Sequence, residues 1–311
     1  MNPYENYNDL AIQRGRVNEI KRRYSVTADV LSFRRCPRLY ASLAERGFSP
    51  AQPSQRYVGS LVHQVLDRAH LHYSGRLDPG TTGLIPTADD IELFFNEVET
   101  ALKAHGIRPF NLELASYVLR VLKRFNEIEG PTLYPRVKDT EHRLQSDRGN
   151  YILYGVVDVL VSGDTPNPAN ETVEIWDYKG SKLPDPGTNF GTRMLEDYTF
   201  QMHVYSSLFY LRNGYYPIKG IIYFLGELGE KNVMSRPTSA VLEVPLDNAK
   251  MENAQREFDG TVSNIVSSRD TNSWPPPSDG HETAGRETCD ACDIRTSCPV
   301  EHYTPRLPSE R

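Results

Sequence analysis

Cysteine is scarce in this chain: Cys36, Cys289, Cys292 and Cys298 are the only four in 311 residues. That excludes the disulfide frameworks that hold small secreted domains together. No apolar run approaches the roughly 18 residues that a membrane-spanning helix requires. The opening stretch MNPYENYNDLAIQRGRVNEIKRRY lacks the apolar core of a secretory leader, so the expected location is the reducing cytoplasm. Neither sign of charge dominates. The 35 Lys and Arg stand against 41 Asp and Glu, a net charge of −6 that gives no bulk electrostatic drive toward nucleic acid. Internal repeats and heptad arrays are absent, which excludes solenoids and long coiled coils. The G-x4-GK[ST] phosphate loop is missing too, so ATP-driven work would have to come from another polypeptide.

What is present is ordinary globular material, 38% hydrophobic and 24% charged, enough for a substantial core. A local basic excess lies near the N-terminus, where Arg14, Arg16, Lys21, Arg22, Arg23, Arg34, Arg35 and Arg38 outnumber Glu5, Asp9, Glu19 and Asp29. Screening confines charge effects to about 8–10 Å, so such a patch can follow a phosphate backbone on an acidic protein. A solvated helix face accounts for it equally well.

Ser25-Val-Thr27-Ala-Asp29 has the composition of a helix N-cap, and Pro37 predicts a kink directly after Cys36. Helices are predicted over 56–73, over 87–105 behind the cap Thr87, and over 111–130, with a Gly/Pro-rich loop at 74–86. The period then changes. Residues 136–146 and 151–162 read as a hairpin turned through DRGN, followed by a strand over 172–180. A helix over 198–211, strands over 218–228 and 240–246, and a helix over 247–268 complete the pattern. SWPPPSDGHETAGRE reads as a linker to a cysteine-bearing tail. The order predicts a mixed α/β fold with helices on both faces of a central sheet. The expected organisation is an N-terminal extension (1–24), one domain over 25–302 with a helical insertion at 75–135 and a linker and cysteine tail at 270–302, and a short C-terminal tail (303–311).

Two strands carry carboxylates in places that need explaining. Asp158 interrupts the apolar run GVVDVLV, where an unpaired buried charge costs several kcal/mol. In IWDYKGSK, Asp177 and Lys179 are two apart and share one strand face. Alone, D-x-K is equally well a structural ion pair. Together, Asp158 and Asp177 can converge on one divalent cation of the oxygen-preferring kind, Mg²⁺ or Mn²⁺, with Lys179 beside it as general base or as electrostatic stabiliser. His63, Glu141 and the pair Gln201 and Tyr205, one helical turn apart, are individually as consistent with packing or surface roles as with chemistry.

Taken in order, His63 in GSLVHQVLD, Asp158 in GVVDVLV, Asp177-Tyr178-Lys179 and Gln201-x3-Tyr205 resemble the RecB-like branch of the PD-(D/E)xK nuclease superfamily. LSFRRCPRLY and the terminal CDACDIRTSCP look like its iron–sulfur subgroup, which includes the CRISPR-associated adaptation exonucleases and the AddB nuclease domain. The resemblance covers roughly 25–70 and 136–302. It implies a restriction-endonuclease-like core, with His63, Asp158, Asp177 and the Tyr178 carbonyl as metal ligands and Lys179 as the catalytic lysine. It further implies that Gln201 and Tyr205 flank the site and help position the DNA strand, with Glu141 in a supporting role. Val157 stands where the superfamily name has proline.

Cys289-x2-Cys292-x5-Cys298 with the distant Cys36 suits either four-thiolate Zn²⁺ or a 4Fe–4S cluster, and Pro37 and Pro299 each follow a cysteine as in iron–sulfur ligation runs. The resemblance implies 4Fe–4S. The expected function is therefore a metal-dependent deoxyribonuclease, exonucleolytic on single-stranded or frayed DNA; a nuclease subunit that needs a helicase or integrase partner is a variant of the same reading. A catalytically silent nucleic-acid-binding protein on the same fold is the alternative.

Overall fold

The computed structural model describes residues 21–47, 54–163, 172–230 and 232–277, together with Cys289, Cys292, Ile294, Arg295 and Cys298. Strand β1 (Arg22–Ser25) leads into short helical turns ending at Glu45. Helices α1 (Ser54–Tyr73), α2 (Ala88–Ala104) and α3 (Leu112–Leu133) precede β2 (Val137–Asp147), β3 (Tyr151–Ser162) and β4 (Val173–Lys179). Helix α4 (Asn189–Asn213), β5 (Lys219–Phe224), β6 (Val241–Val244) and α5 (Asn248–Asp270) follow. The six strands form one mixed sheet in the order β1-β3-β4-β5-β6, with β2 also paired to β3.

Local chemistry sets most boundaries. Thr87 caps α2 in a reciprocal box with Asp90, and Asn111 and Asp247 cap α3 and α5 through their side chains. The hairpin turns on Gly149, at φ 86°, with the Asp147 carboxylate accepting its N–H at 2.8 Å. Cys36 is extended, and Pro37 opens a new helical turn behind it, the break that its ring requires.

Elsewhere the chain departs from its periodicity. β1 was hidden because four residues, two of them arginine, carry no readable alternation; its pairing with β3 creates it. Helix α3 runs past Gly130 and through Pro131 to Leu133. Helix α4 starts at Asn189, well ahead of Tyr198, because Thr188 caps it by accepting from the Gly191 N–H. The predicted strand over 218–228 ends at Phe224 and turns into a 3₁₀ segment. The proposed linker begins with a buried residue: Trp274 packs edge-on against Phe33 at 6.3 Å between ring centroids. Its remainder from 278 lies outside the described residues.

Two apolar cores sandwich the sheet. On one face Leu153, Val157, Ile175 and Ile222 meet Val204 and Leu208 of α4 and Phe258 and Ile265 of α5. On the other, Val159, Val161, Trp176, Tyr178 and Tyr223 meet Leu61 and Val65 of α1, Phe95 of α2 and Phe125 of α3. The helical insertion therefore supplies much of the second face. Val157 and Val159 belong to opposite cores, although strict alternation would place them together. The alternation breaks at Asp158.

β3 is the crowded strand. β2 runs along one edge from Ile152 to Val161, so β1 (at Tyr151–Tyr154) and β4 (at Val159–Ser162) must share the other. Between them, Gly155–Asp158 have no ladder partner on that side, and the sheet opens there.

The N-terminal segment is tied to the last helix by one carboxylate. Glu45 accepts from Arg269 Nη2 and Nε at 2.7 and 2.9 Å and from Arg22 at 2.7 Å. The hydrogen bonds from Arg269 and Arg22 outweigh burial and pull the Glu45 carboxyl down to about 2 from its usual 4.5. A lowered folded-state value means stabilisation that is complete above pH 4.5 and lost as pH falls through about 2. Glu45→Gln should therefore cost about 1–2 kcal/mol at pH 7. In urea titrations the gap between variant and wild type should narrow steadily from pH 5 to pH 2; a gap independent of pH would refute the clamp.

Candidate active site

The opening beside Gly155–Asp158 is where chemistry-bearing side chains gather. Asp158 turns its carboxylate toward β4, and its Oδ2 accepts the Tyr178 N–H at 2.6 Å. A side chain thus takes the place of a missing ladder carbonyl. Its other oxygen lies 3.2 Å from His63 Nδ1, presented by α1. Gly180, just past β4, lets α1 approach this closely, since a Cβ there would sit 2.7 Å from Val58.

Glu141 completes a group. It falls opposite Asp158 where the β2–β3 ladder passes from Thr140↔Val159 to His142↔Val157. Its φ is +49°, one of two non-glycine residues in the left-handed region among those described. Such a conformation costs on the order of 1–2 kcal/mol. His63, Glu141 and Asp158 each offer a ligand atom, all within 4.8 Å of one another. They line a cavity of about 560 Å³ with Arg56, Gln64 and Asp67.

From the other face comes a second group. Asp177 is 3% exposed; its Oδ1 accepts from Gln201 Nε2 at 2.8 Å. Gln201 in turn accepts from Lys179 Nζ at 3.1 Å and contacts the Tyr205 hydroxyl at 3.1 Å. Lys179 Nζ also lies 2.7 Å from Asp177 Oδ2, an ion pair on the second oxygen of this buried carboxylate. Glu174, in the same strand, shows the contrast. Equally buried, it is satisfied by Arg136 at 2.9 Å, the Trp176 N–H at 2.9 Å and Lys219 at 3.4 Å. Glu174 thus has three donors around it, whereas Asp177 is held by Gln201 on one oxygen and Lys179 on the other.

Electrostatics join the two groups. Burial would lower His63, but the charge and hydrogen bond of Asp158, with Asp177 behind, push it up to about 9. A cation taking this histidine therefore displaces a proton. Burial and the negative charges of Asp158 and Asp67 raise Glu141. Burial alone would lower Lys179 as well; Asp177 and Asp158 more than offset it and hold the lysine as a cation. That arrangement suits the stabiliser role rather than the base role.

The donor set fits a divalent cation: an imidazole, two close carboxylates, and an adjoining buried carboxylate paired with a lysine. The structure brings together His63, Asp158 and Glu141 most closely, with Asp177, Lys179, Gln201 and Tyr205 adjoining. Tyr178 contributes its N–H to Asp158, and its ring packs in the second core. Tyr198, not singled out from the sequence, lies with its ring 4.7 Å from Lys179 Nζ. Its spacing of three from Gln201 on one helix was the available signal.

A profile of the PD-(D/E)XK nuclease superfamily matches residues 24–299. The chain belongs to that superfamily. No curated protein matches it in sequence. The fold is also similar to that of a "putative exonuclease" from Eubacterium rectale, at TM-score 0.51 and 10% identity, over 91% of this chain and 89% of that one. This supports the α/β restriction-endonuclease-like architecture.

The strain at Glu141 makes a signed prediction. Glycine relieves the left-handed conformation and alanine does not, so Glu141→Gly should be more stable than Glu141→Ala by about 1 kcal/mol. Both should weaken Mn²⁺ binding at least about tenfold in calorimetry. Alanine equal to or better than glycine would show that the backbone is not strained there.

Proposed function

We propose that this chain is a Mg²⁺- or Mn²⁺-dependent deoxyribonuclease that hydrolyses phosphodiester bonds, acting as an exonuclease on single-stranded or frayed DNA. Superfamily membership supports nuclease activity. The observation that carries the reading is the meeting of His63, Glu141 and Asp158 within 4.8 Å beside an Asp177–Lys179–Gln201 network. A divalent cation held there by His63, Asp158, Asp177 and Glu141 would supply Lewis acidity toward a phosphoryl oxygen and acidify water.

The chain's own residues do the rest. Asp158, fixed by the Tyr178 N–H and by His63, keeps its carboxylate oriented without a ladder bond. Lys179, held charged, stabilises negative charge developing on the phosphoryl oxygens. Gln201 sets the positions of both Asp177 and Lys179, and the Tyr198 ring shields one side of the ammonium. In this reading water is the attacking group and no covalent enzyme intermediate forms.

We further propose that Cys36, Cys289, Cys292 and Cys298 hold a 4Fe–4S cluster, as in the iron–sulfur, RecB-like branch. None of the four is in a disulfide. Burial raises the Cys36 thiol against the hydrogen bonds from the Leu39 and Arg38 N–H groups, and the charges of Cys292 and Cys298 act in the same sense as burial. The donor set suits the cluster, whose role is structural: it closes a very long loop and fastens the tail to the start of the domain. Coupling to a helicase or integrase partner would supply the unwinding that this chain lacks a nucleotide loop to drive.

Digestion of labelled single-stranded DNA with Mg²⁺ or Mn²⁺ tests the activity. Asp177→Ala and Lys179→Ala should each lose on the order of 10³-fold or more while circular dichroism still reports the folded chain. Absence of cleavage by the wild type with either metal would overturn the reading. Cys36→Ala should lower thermal stability broadly, and metal analysis of anaerobically purified protein should find iron; zinc in its place would refute the cluster.

A further inference from the structure

The second sheet face is covered by helices only in part. Along β2 and β3 three rungs lie side by side on it: Glu141 opposite Asp158, Arg143 opposite Val156, and Gln145 opposite Tyr154. The first belongs to the site above. The next two are open: Arg143 and Gln145 are exposed, and Tyr154 and Val156 are half-buried. β1 adds Arg23, whose guanidinium lies over the Tyr154 ring, 4.6 Å from its centroid, and whose Nη2 is 3.5 Å from Gln145 Oε1. Together with Arg212 these residues line a cavity of about 800 Å³ that contains no acidic side chain among the described residues. On a protein of net charge −6 that is a distinct local reversal of sign.

We propose that this open face seats an unpaired nucleic-acid strand next to the phosphate being cut. A base stacks on the Arg23–Tyr154 pair, and a backbone phosphate pairs with Arg143. The chemistry is specific in three ways. A guanidinium already seated over a tyrosine ring offers a cationic platform, which accepts any base but needs that base out of its duplex. Arg143 makes no ion pair among the described residues, so its fork is available to a phosphate. The spacing is right as well. Tyr154 and Asp158 are four residues apart on one strand, about 13 Å, which spans about four stacked nucleotides at ~3.4 Å each and fewer in an extended strand. The path thus leads directly from the platform, past Arg143, to the carboxylates.

This proposal rests on the nuclease reading and supplies its selectivity for unpaired strands, and the test separates the two. Binding of a fluorescein-labelled thymidine 12-mer, and of a blunt duplex of equal length, is measured by anisotropy with the full chain in EDTA, where no cleavage occurs. Arg143→Gln should weaken binding of the single strand about 5- to 10-fold at low salt and reduce the slope of log K against log salt by about 0.7. Tyr154→Leu should weaken it about tenfold with little change in slope, and should affect the duplex less. In steady-state digestion Arg143→Gln should raise KM more than it lowers kcat. Because Arg143 is exposed, that variant keeps the test valid even if Tyr154→Leu folds poorly. Unchanged affinity and slope in Arg143→Gln would overturn the subsite even with wild-type cleavage intact. Equal losses on single strand and duplex in Tyr154→Leu would overturn base stacking. Normal selective binding in a wild type that cuts nothing would leave the subsite standing and remove the nuclease reading.

Discussion

A strand edge has room for one ladder at a time, and β3 must serve two. β1 takes its first residues and β4 its last, running in opposite senses, and the intervening Gly155–Asp158 are left without partners on that side. The rest of the site follows from that vacancy. Backbone N–H groups in a buried sheet require acceptors, and the Asp158 carboxylate meets the need of Tyr178. In doing so it is locked in place, with its second oxygen turned to His63. A side chain recruited to repair a ladder becomes a rigid ligand. Gly155 belongs to the same arrangement, because a Cβ there would lie 2.6 Å from the Tyr205 ring and push α4 away from the opening.

The opening also lets two faces of one sheet share a site. α1 delivers His63 from the face lined by Val159 and Tyr178, while α4 delivers Gln201 and Tyr205 from the face lined by Val157 and Ile175. In an unbroken sheet these groups would be separated by the backbone layer. Here they interact strongly enough that Asp177 contributes to the protonation of His63, and Asp158 to that of Lys179. The excess of negative charge over what Lys179 and His63 neutralise is the electrostatic cost of the site, and the strained Glu141 is its conformational counterpart. Both are tolerable because two extensive cores hold the surrounding elements fixed.

Much of this was legible in the sequence. A carboxylate inside an apolar strand and an acid two residues before a lysine are visible as patterns, because strand alternation tells which residues share a face. The long helices announced themselves through caps and periodicity. What could not be read has physical causes. β1 exists only through its partner, so its four residues hold no signal alone. The early start of α4 depends on a threonine cap that follows a Pro-Gly turn. The positive φ of Glu141 is imposed by the interruption opposite Asp158, which no local sequence feature specifies. The prominence of Glu141 over Asp177 in the closest group of ligand atoms likewise depends on register across the hairpin. Tyr198 carries no chemical signature of its own in the sequence, although helical spacing places it along one side with Gln201 and Tyr205.

The clamp at Glu45 has a temporal side. Its partner Arg269 lies 224 residues further along the chain. At a synthesis rate of about 5–20 residues per second, Glu45 waits on the order of 10–45 s for it on the ribosome. Every side chain of the site, from His63 to Tyr205, is made within that interval. A nascent chain can therefore assemble its acidic centre while β1 is held by its pairing with β3 and by Arg23 over Tyr154, and the Glu45–Arg269 fastening follows the site in time.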